Sequence, residues 1–127
     1  MNEKQVHKNI CEYIRLQYPG VIFNTDLSGI RLPIGQATQL KKLRSSRAFP
    51  DLMIFEPREP YHGLFIELKA DNVRLWKKNG DFATDHLREQ GEMIGELKKR
   101  GYHAQFCVGF DSAKAVIDWY LKCPSKK

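Results

Sequence analysis

The sequence has few cysteines, no long apolar run and no internal repeat. Its three cysteines are odd in number and widely spaced, without a CxxC pair, so neither a disulfide framework nor a cysteine-bound metal is expected. The apolar runs stop well short of the ~18 residues that a membrane span needs, and the first residues lack the apolar core of a signal peptide. We therefore expect reduced thiols, no membrane association and a cytoplasmic protein.

Acidic residues are also fewer than basic ones. The 127 residues include 15 Asp and Glu against 21 Lys and Arg, a formal net charge of +6. A basic surface attracts polyanions, so nucleic acid leads the candidate partners, and a merely basic, solvated surface is the alternative. Hydrophobic residues make up 42% and charged residues 28%, which is typical of a globular protein and excludes a largely disordered chain. Residues 1–127 are expected to form a single domain.

Two short apolar segments carry charges where a buried strand should be apolar. They are FPDLMIF, residues 49–55, and GLFIELK, residues 63–69. Pro and Gly bound both segments, which predicts two strands of a hairpin with its turn near residues 59–60. That turn sets Asp51 across from the region of Glu67 and Lys69, and strand alternation puts Glu67 and Lys69 on one face. The sequence favours this register without fixing it.

Two carboxylates and a lysine on adjacent strands suit a metal-dependent phosphodiester hydrolase. Ionised acids in a core are costly unless they are paired or bound to a cation. Asp51 and Glu67 offer hard oxygen ligands of the kind that Mg²⁺ or Mn²⁺ prefers. Such an ion activates water and stabilises charge on phosphorus, and Lys69 could orient that water or neutralise the oxyanion. No serine or cysteine lies beside a plausible base, so a covalent nucleophile has little support.

Apolar periodicity and turn residues predict the other elements along the chain. They are a helix over 3–18, a strand over 21–27, a short helix over 35–44, a loop over 71–85, a helix over 86–100, a strand over 103–110 and a helix over 111–122. Leu43 is expected on the apolar side of the short helix. Gly101 is expected just after the long helix, and Asp111 with Ser112 as the cap of the last one. The order predicts an α/β layer.

Two helices each carry one polar residue on an otherwise apolar face. Glu3 projects beside Val6 and Ile10 of the first helix. It is either a first-turn acid that suits the helix dipole or an acid aimed at the site between the strands. Gln90 projects into the apolar stripe of the long helix, where its amide needs partners. It either bonds a buried backbone group or reaches the acidic site.

Two basic segments are the candidates for contacts to nucleic acid. The first has four cations within seven residues and no acid among them: Lys41, Lys42, Arg44 and Arg47. The second places an aromatic beside two cations: Trp76, Lys77 and Lys78. The alternatives are a solvated helix face for the first segment and a tryptophan that merely covers its loop for the second.

These residues together resemble the PD-(D/E)xK nuclease superfamily and, more narrowly, the VRR-NUC family. The resemblance is carried by Glu3, by Pro50-Asp51-Leu52, by Glu67-Leu68-Lys69 and by Gln90 ahead of Leu-Lys-Lys-Arg-Gly-Tyr. It covers almost the whole chain and is weakest from Ile30 to Arg47. Small stand-alone members occur in phages, so the expected setting is the cytoplasm of a bacterium or of a phage-infected host cell.

The resemblance implies a fold and a set of roles. The fold is a restriction-endonuclease-like α-β-β-β-α-β core, with a mixed central sheet flanked by helices. Asp51, Glu67 and the Leu68 carbonyl would bind Mg²⁺ or Mn²⁺. Lys69 would be the catalytic lysine, Glu3 would act near a metal-bound water, and Gln90 would position the site.

The activity implied is metal-dependent endonuclease cleavage of DNA, with flaps or junctions among the substrates. Stand-alone relatives resemble junction-resolving enzymes that act as homodimers, so a homodimer is among the expected assemblies. The alternative is a non-catalytic nucleic-acid-binding module on the same fold. Two departures from the family concern Ala48, which stands where a glycine is common, and the loop from Ala70 to His86, which is longer than in many members.

Overall fold

The computed structural model describes residues 1–26, 33–43, 45 and 48–125. Its elements follow the predicted order, with the short second helix in place: α1 Glu3–Gln17, β1 Phe23–Thr25, α2 Ile34–Lys42, β2 Leu52–Ile54, β3 Leu64–Lys69, α3 Asp85–Lys99, β4 His103–Val108 and α4 Phe110–Leu121. This confirms the predicted α/β class. Among the residues described, no helix combines the length and apolar character needed to cross a bilayer.

The four strands form one mixed sheet in the order β1-β2-β3-β4. β1 and β2 are antiparallel, as are β2 and β3, whereas β3 and β4 run parallel. A parallel pair needs a crossover, which α3 supplies. All six residues of β3 are buried. Any charge on β3 therefore lies inside the protein.

The hairpin register agrees with the turn predicted near residues 59–60. Leu52 pairs with Ile66, and the ladder ends there on the β2 side. Continued by one and two residues, the same register sets Asp51 opposite Glu67 and Pro50 opposite Leu68. The arrangement follows from a connection centred on residue 59, and it confirms the expected juxtaposition of Asp51 and Glu67.

Strand alternation divides the core into two clusters. Leu64, Ile66 and Leu68 pack with residues of α1 and α4. Phe65 packs with Ile94 and other residues of α3 and β4. Because side chains of a strand alternate between faces, Glu67 and Lys69 share the face of Phe65, toward α3.

Two local expectations about helices are wrong. Leu43, just after α2, is 81% exposed instead of lying on a buried side. The last helix is not capped by Asp111 and Ser112, which lie in its first turn. Its N-cap is Gly109, with φ +85° and no side-chain cap bond. A Cβ at Gly109 would lie 2.6 Å from Asp71 Oδ1, so close approach as well as positive φ favours glycine there.

One ion-pair network ties α1 to α4 away from the acidic site. Asp118 Oδ1 accepts hydrogen bonds from Tyr13 Oη at 2.5 Å and Tyr18 Oη at 2.7 Å. Lys114 Nζ donates to Oδ2 at 3.2 Å. Burial alone would raise the pKa of Asp118, but these three hydrogen bonds outweigh it and hold the pKa below its usual value.

Asp118→Ala should lower the free energy of unfolding by about 1–2 kcal/mol at neutral pH, because two tyrosine hydroxyls lose their acceptor. A depressed pKa stabilises the fold above the usual Asp value, and this contribution is lost as pH falls through the folded pKa. The difference in the free energy of unfolding between variant and wild type should therefore be smaller in acid than at neutral pH, as measured by urea unfolding under both conditions. Glu12→Ala, an exposed acid of α1, is the control. A difference that stays constant into acid would contradict the charge-based account.

Candidate active site

Three carboxylates from separate elements converge at the end of the β2–β3 ladder. Glu3, Asp51 and Glu67 each place one oxygen within 4.8 Å of the others. Asp51 and Glu67 are 5% and 2% exposed, whereas Glu3 is exposed at the first residue of α1. The structure therefore brings together the three acids that the sequence predicted.

The start of α1 does not depend on Glu3 for its cap. The Asn2 side chain accepts the Gln5 backbone N–H at 2.8 Å, and the Asn2 N–H donates to the Gln5 side chain at 3.0 Å. This reciprocal capping box satisfies two otherwise unpaired helical N–H groups. Asn2 followed by Gln5 is a signal that the sequence already contained. It leaves the Glu3 carboxylate available to the acidic cluster.

Asp51 continues the strand pairing with its side chain. Its Oδ2 accepts the Leu68 N–H at 3.0 Å. In an antiparallel register Leu68 would exchange both backbone hydrogen bonds with Pro50, but proline has no N–H to donate. Since the N–H and C=O of a strand residue point to the same side, the Leu68 carbonyl points to the side of β3 on which Asp51 lies. The Pro-Asp pair thus explains how one carboxylate and one backbone carbonyl come to share this position.

Glu67 has an unusual environment for a carboxylate. Its Oε1 is buried and, among the described residues, meets no hydrogen-bond donor. Asp51 lies beside it, and two acids can share a hydrogen bond only if one of them is protonated. Burial, followed by the effect of Asp51, raises the pKa of Glu67 far above its usual range, against the lowering effect of Lys69.

Lys69 and Gln90 complete the site from β3 and α3. Lys69 Nζ lies 3.5 Å from Glu67 Oε2 and donates to Gln90 Oε1 at 2.8 Å. Both residues are almost fully buried, at 7% and 6% exposure. The sequence left two roles open for Gln90, a bond to a buried backbone group or contact with the acidic site. The structure shows the second, because the Gln90 side-chain oxygen accepts from Lys69. The amide holds the lysine ammonium on the same face as Glu67.

The carboxylate oxygens of Glu3, Asp51 and Glu67 fit the coordination of a divalent cation. They are all hard oxygens, which suit Mg²⁺ or Mn²⁺ and not a thiolate-seeking metal. A buried carboxylate oxygen without a donor costs free energy that a cation beside it would offset. The carboxylate oxygens of Asp51 and Glu67 therefore lie where a cation would offset the cost of burying them.

The predicted nucleic-acid contacts occupy two other segments. Lys41 and Lys42 are exposed in the last turn of α2. Arg44 and Arg47 lie outside the described residues. The three predicted residues of the second segment, Trp76, Lys77 and Lys78, line one groove. Arg74 and Ala83, which the sequence did not single out, line it as well. Only closeness to Trp76 in the sequence could have indicated Arg74.

One comparison with known proteins supports the predicted family resemblance. No family model matches the sequence, and no curated protein matches it. Among solved structures, the chain is similar to one described as a VRR_NUC domain protein, at 27% identity and with a TM-score of 0.74. The similarity covers 98% of this chain and 92% of that one. The predicted resemblance to the VRR-NUC family and the restriction-endonuclease-like fold are thereby confirmed.

Proposed function

We propose that this protein is a metal-dependent endonuclease that hydrolyses phosphodiester bonds in DNA, with branched DNA such as flaps or junctions as its substrate. The observation that carries the proposal is the buried Glu67 Oε1, which lacks a donor among the described residues and lies beside two further acids and a lysine. A domain that only bound nucleic acid would gain nothing from burying this costly group.

The acids would hold Mg²⁺ or Mn²⁺. Asp51 and Glu67 would supply carboxylate oxygens, and Leu68 its carbonyl. Glu3, which is exposed and adjacent to both acids, would accept a hydrogen bond from a metal-bound water. The ion would lower the pKa of water and stabilise negative charge on the phosphate during the reaction.

Lys69 would act on the attacking water and on the charge that develops at phosphorus. Its ammonium is already oriented by Gln90, so little reorganisation is needed when substrate arrives. The attacking water would release one proton to solvent as its oxygen bonds to phosphorus, the phosphodiester P–O bond would break, and the departing oxygen would take up one proton, so that one water is added across the bond. Gln90 would serve as a positioning residue, because it touches the lysine and not the phosphate.

The basic segments would hold the DNA backbone. Lys41, Lys42, Lys77 and Lys78 are exposed cations, and Arg44 and Arg47 are added on the sequence pattern alone. Each phosphate contact releases counterions, so binding should weaken steeply as salt rises. A cytoplasmic setting and a homodimer remain predictions.

The proposal is tested by incubating flaps, four-way junctions, linear duplex and single strands, as DNA and as RNA, with Mg²⁺, Mn²⁺ or EDTA. We expect cutting of branched DNA with at least one metal and none with EDTA. Asp51→Asn should abolish cutting, since it weakens the metal site, while the Leu68 N–H keeps an oxygen acceptor.

Two results separate the proposal from a binding-only module. Retained DNA affinity with lost cutting in Asp51→Asn would support the catalytic role of the site. If wild type cuts no substrate with either metal, or if Asp51→Asn cuts as fast as wild type, the proposed function is wrong. Binding should be measured by anisotropy in EDTA, so that both proteins are compared on intact DNA.

A further inference from the structure

The segment between β3 and α3, predicted as a loop, contains a hairpin. Trp76 and Phe82 form an antiparallel bridge. The Ala83 N–H donates to the Leu75 carbonyl at 2.8 Å, which extends the pairing. Asn79-Gly80 forms the turn, with Gly80 at φ +91°. We call residues 74–83 the Trp76 hairpin. Its backbone bonds give it a defined shape before any ligand arrives.

The hairpin is anchored on α3, the helix that carries Gln90. The rings of Trp76 and Phe82 lie 4.4 Å apart at an angle of 32°, so one face of the indole packs on Phe82. Phe82 in turn lies against Gly91 of α3, where an added Cβ would come within 2.3 Å of the ring. Gly91 directly follows Gln90, the residue that holds Lys69. The helix that positions the lysine therefore also supports the hairpin.

Trp76 remains accessible in a basic groove. The residue is 47% exposed although its ring packs on Phe82. It lines a groove of about 330 Å³ with Arg74, Lys77 and Lys78. Arg74 Nε donates to the Trp76 backbone carbonyl at 2.7 Å, which holds this cation against the hairpin backbone. An exposed aromatic among cations is the combination with which proteins hold single-stranded nucleic acid.

An exposed indole face offers a physical basis for distinguishing unpaired from paired bases. In a duplex each base is stacked on its neighbours, so no base face is offered to a protein aromatic without unstacking. An unpaired base has such a face, and its phosphates can meet the cations at the same time. The contact is sequence-tolerant because every base has a π-face.

We propose that the Trp76 hairpin binds an unpaired nucleotide, with its base stacked on Trp76 and its phosphates held by Arg74, Lys77 and Lys78. The inference rests on the proposed function for a nucleic-acid substrate and deepens it by naming the substrate feature that is recognised. Single-stranded arms at a branch would be held beside the acidic site, whereas continuous duplex would lack this contact.

The first test uses the intrinsic fluorescence of Trp76. The chain has two tryptophans, and Trp119 contacts Tyr61 and His103 in another part of the molecule. In a Trp119→Phe protein all tryptophan emission comes from Trp76. We expect oligothymidylate of about 12 nucleotides, added in EDTA, to quench this emission, and fully paired duplex of equal length to leave it unchanged. Unchanged emission at saturating oligothymidylate would overturn the inference.

The second test compares affinities by anisotropy of labelled oligothymidylate and labelled duplex in EDTA. Trp76→Leu should weaken single-strand binding roughly 5- to 150-fold and duplex binding much less. Trp76→Phe, which keeps a ring on Phe82 and so guards against collapse of the hairpin, should fall between. Trp119→Phe is the matched control and should bind as wild type. Equal losses on single strand and duplex would show contacts to backbone alone and would contradict the proposal.

The outcomes separate this inference from the proposed function. Both tests measure binding without metal, so they do not depend on cleavage. Cutting by wild type combined with no effect of Trp76→Leu on single-strand affinity would overturn the inference alone. Selective loss of single-strand affinity in a protein that cuts nothing would overturn the proposed function alone.

Discussion

Replacing Lys69 with methionine should lower the rate of phosphodiester cleavage by about 100- to 1,000-fold, with nucleic-acid affinity largely retained. Methionine has a similar length and suits the buried position, so the protein should remain folded. What is lost is the ammonium that Gln90 holds 3.5 Å from Glu67 Oε2. A group that acts on developing charge affects kcat far more than ground-state binding. Single-turnover cleavage, with binding measured separately in EDTA, gives both quantities.

Lys99→Met is the matched control for the Lys69 prediction. It removes the same charge from an exposed side chain of α3 that is paired with Glu96. If overall charge were responsible, both variants would lose the same activity. A Lys69→Met protein that cleaves within a few-fold of wild type would exclude a catalytic role for the lysine. Equal losses in the two variants would assign the effect to the general attraction of DNA.

The second large expected effect is a gain in stability. Glu67→Gln should raise the melting temperature of the metal-free protein at pH 8 by roughly 4–12 °C, equivalent to about 1–3 kcal/mol. Glutamine resembles the protonated form of Glu67, and its amide can donate to Asp51. The same variant should lose both cleavage and stabilisation by Mn²⁺. On the proposed function, Glu67 would thus support catalysis while lowering the stability of the metal-free protein.

The direction with pH follows from the raised pKa of Glu67. Below its ordinary value of 4.5, the carboxyl is protonated in both the folded and unfolded states, so it has no differential effect. As pH rises, the unfolded chain releases the proton while the metal-free fold retains it, and stability declines toward the folded pKa. Cation binding needs the ionised acid. The stabilisation by Mn²⁺ should therefore increase from pH 5.5 to pH 8, the same pH range over which the metal-free protein loses stability.

Thermal unfolding with EDTA or Mn²⁺ at both pH values checks this account. Glu96→Gln serves as the control because it removes an exposed carboxylate that is already paired with Lys99 and Arg100. This control should keep the full Mn²⁺ effect and gain no stability. A Glu67→Gln protein that melts below wild type in EDTA, or that is stabilised by Mn²⁺ as strongly, would rule out Glu67 as a costly metal-binding acid.

The fold was largely predictable because its signals are local. Short apolar runs bounded by Pro and Gly predicted β2 and β3, and the position of the turn favoured the register that brings Asp51 and Glu67 together. Of the two N-cap candidates that the sequence offers for α3, Thr84 and Asp85, the structure uses Thr84, and Gly101 follows the helix as predicted. Each of these features depends on residues close together in the chain. The charged pattern also indicated the acidic chemistry of the candidate site.

Other features depended on packing that no local pattern reports. Leu43 is exposed just after α2, and the N-cap of α4 is Gly109, where Asp71 lies too close to the backbone for a Cβ. The hairpin around Trp76 needs Phe82 to settle on Gly91, two turns into another element of structure. Asn79-Gly80 is a local turn signal within residues 71–85, but no local pattern there indicates that Phe82 packs on Gly91.

In the acidic site, too, some features were set by the sequence and others only by the tertiary structure. The identities of its acids and lysine, and the facing of two of them across a hairpin, were contained in the sequence as strand period and turn position. Its electrostatic state was decided in three dimensions, where α1 delivers Glu3, where Gln90 meets a lysine 21 residues away, and where Glu67 Oε1 is enclosed without a donor among the described residues. Burial and the distances between charges set free energies, and both arise only when separate elements pack together.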